Sequence, residues 1–247
     1  MRRLSQVFLQ APAIARLAAE ALPLKGKTVL EIGAGKGILT EELEKRAKRV
    51  VALEIDPKLV EILAEKFKRS KVEVARGDAL KASFNGFDAI VGNLPYHLSS
   101  AILFRFLDSD APAAVFMLQK EFAERLLAEP GTHDYSRLAV MTQAVADVEI
   151  IGYAPAECFD PIPRVDSALV KLKRSEKFKL SAPLVAALFQ HKNQTVRNAL
   201  LHSQRALGLP KARLAEFADS LDARNRKVRS LSLGSLEDLS REFKRLL

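Results

Sequence analysis

KTVLEIGAGKG (27–37) starts as an apolar run of strand length and ends in three glycines, Gly33, Gly35 and Gly37, within five residues. The run has the length and residue types of a buried strand, and glycine bounds it. Glycines placed directly after a strand can turn tightly and let a ligand approach the backbone at the N-terminus of the next helix.

The same alternation continues on both sides. Helical apolar spacing covers 11–22, at Ile14, Leu17, Ala18 and Ala21, and again 38–48 and 57–69. RVVALEI (49–55), KVEVARG (71–77), FDAIVGN (87–93) and AAVFML (113–118) read as further strands, the last followed by a helix starting near Lys120. Strands alternating with helices predict βαβ units and a parallel, doubly wound α/β sheet. Runs at 147–153 and 167–173 lie closer together and would close that sheet with an antiparallel pair. Beyond Lys173 the periodicity is helical only, at 184–190, 196–207, 212–221 and 236–247, with Ser235 and Asp238 reading as a capping box for the last helix. The expectation is a sheet domain over 1–174 and a small helical domain over 175–247, with SEKFKLSAP (175–183) between them.

Charge follows the same division. Residues 1–173 carry 24 Lys and Arg against 23 Asp and Glu, whereas 174–247 carry 15 against 7, so nearly all of the net +9 sits in the helical part. A basic module beside a nearly neutral one suggests a polyanion partner, since cations that neutralise phosphates release counterions; a solvated basic surface is the alternative. One cysteine, Cys158, and four scattered histidines offer neither an internal disulfide nor a zinc-type cluster. No apolar window of membrane length occurs, and MRRLSQVFLQ lacks the features of a secretory signal, so no membrane role and a cytoplasmic location are expected.

The glycine loop alone is ambiguous between a structural turn, a dinucleotide site and another adenosyl site, because its spacing is G-x-G-x-G, with Ile38 where a dinucleotide fingerprint has its third glycine. Glu54, at the end of the second strand of the series, is placed to accept the hydroxyls of a ribose, or else to cap the next helix. Asp78, after the third, could accept from an adenine amino group, with Ile55 and Ala79 flanking the ring. Three loops at one sheet edge thus describe an adenosyl pocket, and S-adenosylmethionine fits better than NAD because no pyrophosphate has to be held.

Asn93-Leu94-Pro95-Tyr96 follows the next strand at that same edge. An exocyclic adenine amine is a poor nucleophile until its hydrogens are drawn out of the ring plane. The Asn93 side-chain oxygen and the Leu94 carbonyl can do that, Pro95 stiffens the turn, and Tyr96 offers a face for a base. A sulfonium leaving group needs no strong base, so orientation and electrostatics suffice.

Taken together, SQVFL (5–9), EIGAGKGILTEEL (31–43), LEID (53–56), GDAL (77–80), NLPYHLSS (93–100), MLQKEFAERL (117–126), FDPIPRVDSALVKL (159–172) and FQHKNQTVRNAL (189–200) resemble the KsgA-type ribosomal RNA small-subunit adenine dimethyltransferases, in their archaeal form. The resemblance spans nearly the whole chain. It implies a Rossmann-like class I methyltransferase sheet with a C-terminal helical domain, S-adenosylmethionine as cofactor, and dimethylation of N6 on two adjacent adenosines near the 3′ end of small-subunit rRNA. A monomer acting on the pre-small ribosomal subunit is implied as well. It further implies that Val7 and Leu9 border the cofactor, that Gly33 underlies its methionine part, that Gly35 is also a cofactor-binding residue, that Glu54 holds the ribose, that Asp78 meets the adenine, and that Asn93 touches cofactor and target. Phe159 is implied as the second aromatic against the base, where the residue type alone suggests core. Lys192, Arg197, Arg224, Arg226, Lys227 and Arg229 are the candidate RNA contacts. Ser5 and Ser136 stand where the family commonly has glycine. Related enzymes that methylate one adenine of large-subunit rRNA, and assembly or transcription factors on the same fold, are the alternatives; FDPIPRVDS speaks against the first, and Glu54, Asp78, Asn93 and Tyr96 against the second.

Overall fold

A computed structural model describes residues 7–246. Its elements in chain order are β1 (Phe8–Leu9), α1 (Pro12–Glu20), β2 (Thr28–Ile32), α2 (Ile38–Arg46), β3 (Arg49–Glu54), α3 (Pro57–Lys66), β4 (Val72–Arg76), β5 (Ala89–Asn93), α4 (Ser99–Leu107), β6 (Ala113–Gln119), α5 (Lys120–Leu126), α6 (Arg137–Val145), β7 (Ala146–Ala154), β8 (Phe159–Asp160), β9 (Ser167–Arg174), α7 (Ala182–Gln190), α8 (Val196–His202), α9 (Gln204–Leu207), α10 (Lys211–Ser220) and α11 (Leu233–Leu246). The chain divides into two compact units. One holds the described residues through Ala123 together with Val148–Arg174; the other holds Glu124–Asp147 and Ser175 onward. The division expected at 174/175 therefore shifts at one place: α6 packs with the C-terminal helices, because Tyr135, Ala139 and Val140 share a buried cluster with Leu184, Leu188 and Leu200.

The first unit is built on a seven-stranded sheet in the order β4-β3-β2-β5-β6-β9-β7. β4, β3, β2, β5 and β6 are parallel, and β9 runs antiparallel to β6 from Ala113↔Lys173 to Gln119↔Ser167. Covered strands need apolar residues on both faces, and VLEI in β2 and AIV in β5 are buried throughout. The sheet reverses its strand order beside β2, so the ends of β2, β3, β4 and β5 frame the crevice where ligands of such folds sit. A separate two-stranded ribbon pairs β1 with β8, Phe8↔Asp160 and Leu9↔Phe159.

The second unit is helical. Ser181 and Thr195 cap α7 and α8, accepting from Leu184 N–H at 3.4 Å and Asn198 N–H at 3.3 Å. The stretch 196–207 is two helices where the periodicity predicts one: Ser203 interrupts it, its buried hydroxyl donating to the Ala187 carbonyl at 2.9 Å. α11 starts at Leu233, and Ser232 is the cap, its hydroxyl accepting from Ser235 N–H at 3.2 Å while its carbonyl accepts from Leu236 N–H. Ser235 lies inside the first turn and does not cap. Ser136 has φ −145° and ψ 168°, extended backbone open to any residue, so serine in place of glycine imposes no strain there. Ser5 lies outside the described residues.

Candidate active site

The loop after β2 folds back over the end of β3, with Gly33 N–H and Ala34 N–H both reaching the Leu53 carbonyl at 2.9 and 3.3 Å. Gly33, Gly35 and Gly37 all have positive φ, 71°, 57° and 82°, which side chains resist. Space is short as well: a Cβ on Gly35 would stand 3.1 Å from the Phe8 ring and one on Gly37 2.9 Å from Leu63. The Glu54 carboxylate, 5% exposed, fastens this turn. Oε2 accepts from Gly35 N–H at 2.9 Å, and Oε1 accepts from Ile55 N–H at 2.8 Å and Asp56 N–H at 3.0 Å. A carboxylate offers about four acceptor positions, so one on Oε2 is left for a ribose hydroxyl, where the sequence reading gives Glu54 both. Asp78 Oδ1 accepts from Leu80 N–H at 2.9 Å, and among the described residues nothing donates to Oδ2.

At the end of β5 the carboxamide of Asn93 is oriented by chemistry. Its Nδ2 donates to the Val7 carbonyl at 3.1 Å, and since that carbonyl can only accept, Oδ1 must face away from it. Among the described residues no donor reaches Asn93 Oδ1 or the Leu94 carbonyl; Leu94 N–H itself is held by the Met117 carbonyl at 3.2 Å. Pro95 and a short 3₁₀ turn over Tyr96–Leu98 lead into α4. The Tyr96 hydroxyl lies 3.0 Å from the Ser167 hydroxyl.

These segments enclose one cavity of about 350 Å³, in the range of cofactor sites. Val7, Leu9, Gly33, Gly35, Glu54, Ile55, Asp78, Ala79, Asn93, Leu94, Pro95 and Tyr96 all line it. Phe159 does not. It is 2% exposed and belongs to the core with Leu9, Met117 and Leu169, because its strand pairing with Leu9 draws the side chain inward. Of the lining residues that a sequence reading misses, two bear on the chemistry. Phe8 covers Gly35 and carries the Lys36 ammonium 4.9 Å from its ring centroid. Glu31, 1% exposed, has an Oε2 without a hydrogen-bond partner of normal geometry, and burial pushes its pKa up to about 7; the neighbouring Thr40 hydroxyl opposes that rise and the Glu54 charge adds to it. Its only sequence signal is an acid inside an otherwise apolar strand.

In the helical unit the candidate RNA contacts differ in how much they are already engaged. Lys192 Nζ donates to the carbonyls of His133 at 2.6 Å and Tyr135 at 3.4 Å, holding the loop before α6. Arg197 pairs with Asp219, Arg224 donates to Leu221 O, and Arg226 donates to Ser230 O and Ser235 Oγ. The side chains of Lys227 and Arg229 have no hydrogen-bond or ion-pair partner among the described residues.

A doubly wound sheet carrying a glycine turn, an acid after β3 and an Asn-Leu-Pro-Tyr turn after β5 defines a class I S-adenosylmethionine-dependent methyltransferase. The chain belongs to the ribosomal RNA adenine dimethylase family, whose model matches residues 1–224. It is 46% identical to the probable ribosomal RNA small subunit methyltransferase A of Thermococcus onnurineus (strain NA1) over 224 residues, 89% of this chain and 82% of that protein. Among solved structures, a dimethyladenosine transferase from Plasmodium falciparum superposes with a TM-score of 0.83 at 29% identity, covering 97% of this chain and 98% of that one. The 23S rRNA methyltransferase ErmE follows with a TM-score of 0.68 at 31% identity, covering 94% and 99%. The chain is thus an S-adenosylmethionine-dependent rRNA adenine methyltransferase. Its cavity fits that cofactor: the volume is adequate, Gly35 and Gly37 leave no room for a Cβ, and a buried carboxyl oxygen at Glu31 is unpaired.

Proposed function

We propose that this chain dimethylates N6 of two adjacent adenosines near the 3′ end of small-subunit rRNA, acting as a cytoplasmic monomer on the pre-small ribosomal subunit. The observation that carries the chemistry is the pair of unengaged acceptors, Asn93 Oδ1 and Leu94 O, on two residues that line the cavity. Two acceptors match the two hydrogens of an adenine amine. Holding both draws the nitrogen lone pair out of conjugation and aims it into the cavity. Bound S-adenosylmethionine supplies an electrophilic methyl on a sulfonium, whose departure as a neutral thioether needs no acid. Asn93 and Leu94 therefore orient and do not act as bases, and Tyr96 offers a ring beside which positive charge on the amine is favourable. Gly33 and Gly35 underlie the methionine part, Glu54 the ribose and Asp78 the adenine, with Ile55 and Ala79 beside its ring and Val7 and Leu9 bordering it. The amine methylated first is cationic and acidic and sheds one proton to solvent water, so one hydrogen then remains and one acceptor is enough for the second transfer.

Small subunits are favoured over large by the relatives named for that substrate. The RNA is held by the basic helical unit, with Lys227 and Arg229 the two of the six candidate cations that have no partner among the described residues. The test is methyl transfer from labelled S-adenosylmethionine to unmethylated small subunits, with large subunits in parallel and mass analysis of the nucleosides. N6,N6-dimethyladenosine confined to the small subunit supports the proposal. Transfer confined to large subunits, or tight small-subunit binding without transfer, overturns it. In the same assay Asn93→Ala is expected to abolish transfer while retaining RNA binding; near-normal transfer would sink the role given to the carboxamide.

A further inference from the structure

We infer that Ser167, a residue outside the cavity lining, is a positioning residue for methyl transfer, acting by clamping the phenol of Tyr96. This rests on the reading of Tyr96 as the aromatic face for the target base. Ser167 is fully buried, and its hydroxyl lies 3.0 Å from the Tyr96 hydroxyl, across 71 residues of sequence. A tyrosine ring has two side-chain torsions, and a ring at a cavity mouth samples them unless its far end is held. A hydroxyl bond at the para position holds that end, so the ring face is set before any base arrives.

The anchor itself is rigid for three independent reasons. Ser167 begins β9 and is paired in the ladder with Gln119 of β6. The preceding carbonyl, that of Asp166, accepts from Lys120 N–H at 2.9 Å. The Asp166 carboxylate accepts from Ala156 N–H at 3.0 Å, tying the turn that leads into β8 and thus into the ribbon carrying Leu9. A fully buried serine at the start of an interior, antiparallel-paired strand has no packing reason to be polar. Alanine would fill the site, and among the described residues the only partner its hydroxyl finds is Tyr96. The bond joins two stretches that are far apart in the chain, the NLPY turn and the strand after FDPIPRV, so base alignment is coupled to the fold of the sheet.

The experiment is a double-mutant cycle on the full chain with small-subunit RNA: Ser167→Ala, Tyr96→Phe and the double variant, with Tyr96→Ala and Ser167→Cys alongside. Ser167→Ala and Tyr96→Phe are each expected to lower kcat about threefold to tenfold, the worth of one neutral hydrogen bond, with S-adenosylmethionine affinity unchanged. The double variant is expected to be no slower than the slower single variant, because either change breaks the same bond. Ser167→Cys, of similar volume and weaker as a donor, should fall between. Multiplying effects in the double variant would show that Ser167 acts on structure apart from Tyr96, and wild-type kcat for Ser167→Ala would show no role; either overturns the inference. Tyr96→Ala separates the levels: if it keeps full activity the reading of Tyr96 itself fails, whereas loss in Tyr96→Ala with a normal Ser167→Ala removes only the clamp. Melting temperatures of all variants identify any that lose activity by unfolding.

Discussion

Replacing Glu31 by glutamine removes a buried acid whose pKa lies near 7 in the folded chain and at 4.5 when unfolded. A carboxyl with a raised folded pKa binds more protons in the native state than in the unfolded one, so it weakens folding as pH rises from about 4.5, and the full penalty is present above about 7. The interval between those values, at ~1.4 kcal/mol per pH unit, amounts to about 3 kcal/mol, most of which develops between pH 5 and pH 8. Thermal melts of wild type and Glu31→Gln without cofactor, at half-unit steps over that range, measure it. The variant should gain on the wild type by roughly 5–10 °C between pH 5 and pH 8 for a chain of this size. Melting curves that shift in parallel with pH would refute the placement of this acid. A cation entering the cavity favours the ionised form, so S-adenosylmethionine binding near pH 6.5 should release part of a proton from wild type and none from the variant. Calorimetry in two buffers of different ionisation heat reads that directly.

Three further outcomes follow from the helical unit. Lys227→Ala should weaken RNA binding and lower the slope of log affinity against log salt by about 1, as expected for one lost phosphate contact. Lys192→Ala should leave that slope in place and lower the melting temperature, because its ammonium serves the His133 and Tyr135 carbonyls; the opposite pattern would reverse the two assignments. Ser232→Ala should cost about 1 kcal/mol through loss of the α11 cap, against a few tenths for Ser235→Ala, and urea melts giving equal losses would contradict the cap geometry.

The sheet was legible because its signal is local. Each buried strand is a short apolar run closed by glycine or a polar turn, and the helices between carry their own period, so the order of elements from Thr28 to Gln119 can be read from patterning. The lining residues were legible for a related reason. In a parallel sheet every strand end that meets the same edge delivers the residues just after it to one crevice, so Gly33, Glu54, Asp78 and Asn93 converge without knowledge of any contact. Helix junctions were less so: Ser203 acts through a bond to Ala187 that depends on packing, Ser232 and Ser235 are two serines either of which could cap the last helix, and 137–145 lacks a strong amphipathic period of its own.

By itself the sequence determined the fold class, the glycine turn, the acids that follow the strands and the basic bias of the C-terminal helices, all of which depend on residues near one another in the chain. Tertiary structure alone decided which groups remain available. It buried Phe159 behind Leu9, engaged Lys192 with a neighbouring loop, filled most of the Glu54 carboxylate with backbone donors, and left Asn93 Oδ1, Leu94 O and one oxygen of Glu31 unengaged. Hydrogen-bonding capacity and solvation are consumed by neighbours distant in sequence, and pKa values and free acceptors are what remains after that consumption.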